Sequence, residues 1–257
     1  MTKLWLAATA LTASLATSGC VIVVADDDSD GKMLRDRRAS DGYIVLDRDG
    51  DYSRLSGDLN LRGRVGGDLS LVSGDVDMDD LNVGGEMSIA AGDVRFSGTV
   101  SGEASIAGGD VTWNGEAMDE LGIASGDLDV SGRIAGEASL AAGEMRVDAT
   151  FLNGLSAHAG SIVFNGEVSG PVKFVAIREM RRNRDYRGNQ GRIEIGGRLH
   201  NGGQVCAVSV VFADTARIDG PLEVYAESEP RTESGARVPG LEYMPRNRRD
   251  CDDLIDD

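Results

Sequence analysis

The chain contains 257 residues, carries a formal net charge of -17 at neutral pH and is only 5 % aromatic. So acidic a surface repels nucleic acid and anionic lipid headgroups. The scarcity of aromatic side chains also leaves little stacking surface for carbohydrate or single-stranded nucleic acid. The composition therefore argues against a role in nucleic-acid binding.

The first segment, MTKLWLAATALTASLATSGC, has one early basic residue, a short apolar run and small residues before Cys20. This layout predicts a bacterial signal peptide over residues 1–20, and the shortness of the apolar run disfavours a membrane span. Its end, Thr17-Ser18-Gly19-Cys20, resembles the lipobox of bacterial lipoproteins. The resemblance implies that Cys20 is acylated and anchors the mature chain in a membrane. Because Val21 follows Cys20, the resemblance favours the outer membrane.

Residues 21–42 are polar and acidic and are predicted to form a flexible linker. The next segment repeats itself every 17 residues, and its apolar positions form columns. One column is Met87, Ala104, Leu121, Ala138, Leu155 and Val172, and the next is Ile89, Ile106, Ile123, Leu140, Ala157 and Phe174. Within each unit the apolar residues lie two apart, which is the alternation of a strand with one buried face. A helix is disfavoured because each of the frequent glycines would cost it about 1 kcal/mol.

Glycine recurs at the same step as the apolar columns. One glycine column is Gly57, Gly74, Gly92, Gly109, Gly126, Gly143 and Gly160, with one extra residue near Leu81. In a second column, Gly85, Gly102, Asp119, Gly136, Asn153 and Gly170, the replacements are Asp and Asn, which predicts a left-handed turn there. Strand and turn repeating in register predict an all-β fold, a single-stranded parallel β-helix of about 17 residues per coil. The uneven spacing of apolar residues within a coil favours the right-handed form.

The β-helix is predicted to span residues 43–226 as one domain, with an Arg-rich insert at 178–190 and a polar C-terminal tail at 227–257. Two cysteines remain after Cys20. In an exported chain they predict one disulfide, between Cys206 and Cys251, although two free thiols are the alternative.

The recurrent Gly-Asp-Val units, as at Gly92-Asp93-Val94, and the segment ARIDGPLEV at 216–224 resemble bactofilins. Bactofilins are bacterial cytoskeletal proteins that form polymers from β-helical subunits. The resemblance implies a β-helix that associates end to end into a scaffold. The repeated Gly-Asp-Val pattern is also similar to that of exported adhesin-like β-solenoids. Their export agrees with the predicted signal peptide.

Outward positions beside the glycines carry acids in two rows. We call Asp58, Asp75, Asp93, Asp110, Asp127 and Glu144 the first acidic ladder, and Asp68, Glu86, Glu103, Glu120 and Glu137 the second. Oxygen ligands of this kind suit calcium, and the alternative is a solvated edge that opposes aggregation. The edge is the favoured interpretation, so no metal site is predicted.

No arrangement of residues predicts catalysis. The two histidines, His158 and His200, are far apart in the repeat, and His158 falls in a column of alanines. Carboxylate pairs recur in every coil, whereas an active site is normally singular. The chain is therefore predicted not to be an enzyme, with no catalytic residue and no cofactor.

Two functions remain open. The first is an exported lipoprotein of the cell envelope whose β-solenoid self-associates as a structural scaffold, since an uncovered solenoid end is an unpaired sheet edge. The second is a monomeric, surface-anchored, adhesin-like binding module. Capped ends would favour the second, and the segments that could cover the ends are the insert, the tail joined through Cys206 and Cys251, and residues Tyr43 to Leu46.

Overall fold

The computed structural model describes residues 37–38, 42–55, 57–176, 191–246 and 251. The predicted signal peptide with Cys20, nearly all of the predicted linker and the insert at 178–190 lie outside the described residues. In the described part of the chain, all regular structure is β, with 24 strands in one sheet. The strands stack as a β-solenoid of about 11 turns, roughly 17 residues apart, which confirms the predicted fold.

The strands are as follows. The N-terminal ones are β1 (Arg37–Arg38), β2 (Ile44–Arg48), β3 (Tyr52–Leu55), β4 (Leu59–Val65), β5 (Leu69–Val72), β6 (Val76–Val83), β7 (Met87–Ala90) and β8 (Asp93–Val100). The central ones are β9 (Ala104–Ala107), β10 (Asp110–Ala117), β11 (Leu121–Ala124), β12 (Asp127–Ile134), β13 (Ala138–Phe151), β14 (Leu155–Phe164), β15 (Glu167–Val168) and β16 (Val172–Ala176). The C-terminal ones are β17 (Arg192–Ile195), β18 (Arg198–Leu199), β19 (Gly203–Ala207), β20 (Ser209–Phe212), β21 (Arg217–Ile218), β22 (Leu222–Ala226), β23 (Arg231–Thr232) and β24 (Leu241–Pro245).

A regular coil consists of a long strand and a short strand. In β8 the side chains of Val94, Phe96 and Val100 are buried, and in β9 those of Ala104 and Ile106 are buried. Each long strand pairs in parallel with the long strands of the neighbouring coils, and each short strand pairs with short strands. Equivalent side chains therefore stack on one another and form a single core along the solenoid.

The extra residue near Leu81 produces a bulge in β6. Its pairing with β8 shifts register between Met78 and Leu81, and Asp80 has a φ of 50°. The Asp80 N–H donates to Ser97 Oγ at 3.0 Å, and Ser97 Oγ donates to Asp79 Oδ1 at 3.2 Å. The neighbouring coil thus satisfies the polar groups that the bulge leaves outside the ladder.

The predicted left-handed turn in the second glycine column is wrong. Among the described residues, positive φ occurs at other positions, such as Gly98 (138°) and Gly132 (104°) within long strands and Gly202 (67°) between strands. In the second glycine column the reason for glycine is close stacking. A Cβ on Gly102 would lie 2.8 Å from the carbonyl oxygen of Gly85 in the preceding coil.

The coils change length in the C-terminal part. Ser161 pairs with Arg192, so the ladder resumes directly after residues 177–190, and Val172 then pairs with Gly203. Gly203 pairs with Leu222, and Leu222 pairs with Leu241, which makes these coils longer than the regular ones. The ladder therefore continues past the predicted domain boundary at residue 226, because β23 and β24 pair with β20 and β22.

Candidate functional site

The N-terminal coil, β2 and β3, is well covered. Its inward side chains Ile44, Leu46 and Tyr52 are only 5 %, 2 % and 4 % exposed. The outer edge of β2 pairs with β1 in antiparallel orientation over two residues. The inward side chains at this end are therefore buried like those of the middle of the solenoid, whereas β3 has β5 as its one partner strand among the described residues and Leu55 is 67 % exposed.

The C-terminal coil, β23 and β24, is less covered. Leu241 and Tyr243 pack on the core but stay partly exposed. Within the described residues β24 pairs only with β22. Because Leu222 donates its N–H to the carbonyl of Gly240, the matching N–H group of Leu241 points away from β22 toward the open edge. Pro245 stands at a position of the same orientation and has no N–H, so it shortens that edge.

Cys206 and Cys251 are joined by a disulfide. Cys206 lies on the outer side of β19, in the same row as Val175 and Tyr225, and forms with Val175 and Cys251 a small cluster separate from the main core. Cys251 is fully buried there. The disulfide thus fixes Cys251 on the flank of the solenoid beside β19. In the stack of coils β19 is separated from the terminal strand β24 by β22, so Cys251 does not cover the terminal strand.

The first acidic ladder takes part in the backbone of the N-terminal coils. Asp58 Oδ1 accepts a hydrogen bond from the N–H of Asp75 at 3.1 Å, and Asp75 Oδ1 accepts one from Asp93 at 3.0 Å. Glycine precedes the acid because a Cβ on Gly92 would lie 2.7 Å from Asp75 Oδ1. The Gly-Asp repeat therefore lets each carboxylate reach the backbone of the next coil.

The second acidic ladder uses the same contact. Asp51 Oδ1 accepts from the Asp68 N–H, and Asp68 Oδ1 accepts from the Glu86 N–H, both at 2.9 Å. Further along the first ladder the backbone replaces the side chain, since the Asp127 N–H donates to the carbonyl of Gly109 at 3.2 Å. Among the described residues, no group of three or more His, Cys, Asp or Glu side chains is arranged to hold a metal ion.

His158 lies on β14, in register with Ala141 and Val175. Its Nε2 is 3.4 Å from the Ser156 Oγ. Burial lowers the pKa of His158 below the ordinary value of 6.5, and the charge of Lys173 lowers it further. The side chain is thus favoured in its neutral form within a row of small apolar residues.

His200 lies in a cluster of charged side chains that the sequence did not predict. Its Nε2 is 2.6 Å from Glu167 Oε1, and its Nδ1 is 3.6 Å from Asp219 Oδ2. Asp219 Oδ2 also accepts hydrogen bonds from Nε and Nη2 of Arg198, at 3.0 and 2.8 Å. Glu167, Arg198 and Asp219 belong to consecutive coils, because β15 pairs with β18 and β18 with β21. Residues 177–190 separate Glu167 from Arg198 along the chain, so alignment at a fixed period does not bring them together.

A groove of about 340 Å³ lies beside this cluster, and we call it the Arg198 groove. Its polar lining residues are Asp148, Thr150, Asn165, Glu167, Arg198 and Thr215. The buried Gly196 and Gly197 form part of its floor. The groove crosses four consecutive coils on one side of the solenoid, where the long strands bend.

Within the described part of the chain, no helix has the length and apolar character needed to cross a membrane. Comparison with known proteins found no matching family model, no matching curated protein and no matching solved structure.

Proposed function

We propose that this chain is a non-enzymatic, exported lipoprotein, anchored through Cys20 to the outer membrane, whose β-solenoid self-associates as a structural scaffold of the cell envelope. The observation that best supports self-association is the C-terminal coil. Within the described residues β24 has a parallel partner on one side only. The side chains that end the core there, Leu241 and Tyr243, stay partly exposed.

Pairing with a second copy would satisfy this end of the solenoid. The N–H groups of Leu241 and Tyr243 would find carbonyl partners, and the two side chains would leave water. When two copies meet through the same surface, the contact is isologous and closes as a dimer. In the N-terminal coil β3 also has a partner on one side only among the described residues, but the inward Tyr52 is just 4 % exposed, so we expect the dimer formed through β24 to be the first building unit of the scaffold.

Sedimentation velocity of the full chain over a range of concentrations tests this proposal. We expect a dimer that Leu241→Lys converts to a monomer, because the substitution places a charge at the paired end. Leu55→Lys is the matched control, since Leu55 is a 67 % exposed leucine in the N-terminal coil. A monomer at all concentrations in the unsubstituted chain contradicts self-association.

A second substitution separates loss of pairing from loss of folding. Tyr243→Pro removes an N–H that points to the open edge and leaves the backbone bonds between β22 and β24 intact, while it also removes the hydroxyl that Tyr243 donates to the carbonyl of Ala226. It is expected to weaken dimerisation with an unchanged β-sheet circular dichroism spectrum. Dimerisation of both substituted chains at the strength of the original would contradict the role assigned to β24.

The alternative function is a monomeric, surface-anchored, adhesin-like binding module. The Arg198 groove favours it, since a polar recess on the side of the solenoid stays accessible whether or not the ends pair. A monomer in sedimentation, together with ligand binding at this groove, would replace the scaffold by this function.

A further inference from the structure

The chain contains four Asn-Gly pairs, and asparagine before glycine is prone to a spontaneous reaction. The pairs are Asn114-Gly115, Asn153-Gly154, Asn165-Gly166 and Asn201-Gly202. The backbone nitrogen of the glycine attacks the Cγ of the asparagine, since glycine has no Cβ to hinder the approach. A carbon–nitrogen bond forms, and the side-chain amide leaves as ammonia with the proton of that nitrogen. Water then opens the cyclic imide to aspartate or to isoaspartate, in which the main chain runs through the former side chain.

The reaction needs a glycine N–H that is free of hydrogen bonds and an asparagine side chain that is free to turn toward it. Gly115 does not meet the first condition, because it lies inside β10, with β8 and β12 paired on either side. Asn114 is also held, since its Oδ1 accepts a hydrogen bond from Ser131 Oγ at 3.2 Å. This pair therefore reacts only when the ladder opens locally.

Asn201 meets both conditions. It lies exposed between β18 and β19, and its side chain makes no hydrogen bond to another described residue. The N–H of Gly202 likewise donates to none of the described residues. Gly202 has a φ of 67°, a conformation that favours glycine. The residue that the reaction requires after the asparagine is therefore also the residue that the backbone requires there.

Asn153 lies in a corner that is packed like that of Asn201. A Cβ on Gly170 of the next coil would lie 2.6 Å from the carbonyl carbon of Asn153, and a Cβ on Gly220 would lie 2.3 Å from that of Asn201. The Nδ2 of Asn153, however, donates to the carbonyl of Ala135 at 3.2 Å, which ties this side chain to the preceding coil. The two corners thus differ in the freedom of the asparagine side chain.

Asn165 is restricted by packing. Its Oδ1 lies against Gly196 of the next coil, where a Cβ would be only 2.5 Å away, and Thr215 Oγ1 would be 3.1 Å from the same Cβ. The side chain fills the space over Gly196 and cannot turn without leaving it. Of the four asparagines, Asn201 is the one that the fold restrains least.

We propose that Asn201 is a site of spontaneous deamidation, converted to aspartate and isoaspartate as the folded protein ages. Water is the one co-reactant, so no enzyme or cofactor takes part. The proposal does not depend on self-association or on the lipid anchor.

The two products differ in their effect on the fold. Aspartate is accommodated, because Asp119 already occupies such a corner, with its carbonyl carbon 2.4 Å from a Cβ placed on Gly136. Isoaspartate adds a methylene group to the main chain at a point where the next coil leaves no room. A Cβ on Gly202 would lie 1.8 Å from the carbonyl oxygen of Pro221. Isoaspartate at Asn201 therefore loosens the stacking of β22 on β19.

Peptide mapping by mass spectrometry tests the proposal on the full chain, aged at mildly alkaline pH in heavy-oxygen water. The water that opens the imide leaves its oxygen in the product, so heavy oxygen marks deamidation that occurred during incubation. In the folded chain Asn201 is expected to react at least about tenfold faster than Asn114, and faster than Asn153 and Asn165. In denaturant the four rates are expected to converge, because all four pairs are Asn-Gly. A rate at Asn201 that does not exceed the other three in the folded chain overturns the proposal.

Urea unfolding of aged samples measures the effect on the fold. The aged chain is expected to unfold at a lower urea midpoint than the fresh chain. Asn201→Gln is the matched control, since its longer side chain keeps the amide but forms the imide poorly, and its midpoint is expected to stay constant with age. Fresh Asn201→Asp is expected to unfold like the fresh original. An equal loss in aged Asn201→Gln, or a lowered midpoint in fresh Asn201→Asp, overturns the effect assigned to isoaspartate.

Discussion

The two ends of the solenoid belong to the same ladder but differ in how well their core is covered. At the N-terminal coil, Leu46 is 2 % exposed and β1 pairs with the outer edge of β2. At the C-terminal coil, Leu241 stays partly exposed and β24 has one partner strand among the described residues. The difference teaches that an end coil is stable only when something replaces the missing neighbour: further chain at one end and, on our proposal, a second copy at the other.

The largest effect should come from truncating the same side chain at both ends. Leu46→Ala is expected to lower the free energy of unfolding by about 2–5 kcal/mol, because it removes a fully buried side chain. Leu241→Ala is expected to cost about 1 kcal/mol in the monomer, since its side chain is only partly buried. Urea unfolding of both variants at low concentration measures the two costs. Equal costs would mean that the two ends are covered alike.

The disulfide should stabilise the C-terminal part more than any single contact there. Replacing Cys206 and Cys251 together by alanine is expected to lower the free energy of unfolding by about 2–4 kcal/mol. The loop that the bond closes spans a sequence separation of 45 residues, which constrains the unfolded chain. Unfolding with and without a reducing agent gives the control, since reductant should destabilise the original chain and leave the double variant unaffected. A double variant as stable as the original would show that Cys251 is not held in the fold by this bond.

A smaller effect should follow from the titration of His158. Because burial lowers its pKa below the ordinary 6.5, the unfolded chain binds the proton more readily than the folded chain does. Stability is therefore expected to fall as the pH drops through about 6.5, and this part of the pH dependence should be missing in His158→Ala. Chemical denaturation at about pH 7.5 and about pH 5 measures it. An unchanged pH dependence in the variant would place the titrating group elsewhere.

The fold could be predicted from the sequence because each coil repeats the same pattern of buried apolar side chains, strands and turns. Columns such as Ile89, Ile106 and Ile123 stack in the structure as the 17-residue register requires. The column alone did not explain why glycine precedes each acid. That explanation needs the geometry of two coils, in which the carboxylate of Asp75 passes over Gly92 to reach the backbone of Asp93.

The Arg198 groove could not be predicted by the same method. Periodic alignment compares residues at a constant step, and residues 177–190 break that step between Glu167 and Arg198. His200 therefore stood alone in the sequence but lies 2.6 Å from Glu167 in the structure. The C-terminal coil was missed for a related reason: the spacing from Leu222 to Leu241 is longer than the repeat, and the intervening residues are polar.

Hydrogen exchange of the full chain at low and high protein concentration tests the central claim most directly. The account predicts that amides of β2 are protected at both concentrations, and that amides of β24, above all those of Leu241 and Tyr243, gain protection only as the concentration rises. Protection of β24 that does not change with concentration, or a gain at β2 instead, would contradict the assignment of the C-terminal coil as the surface through which two copies pair.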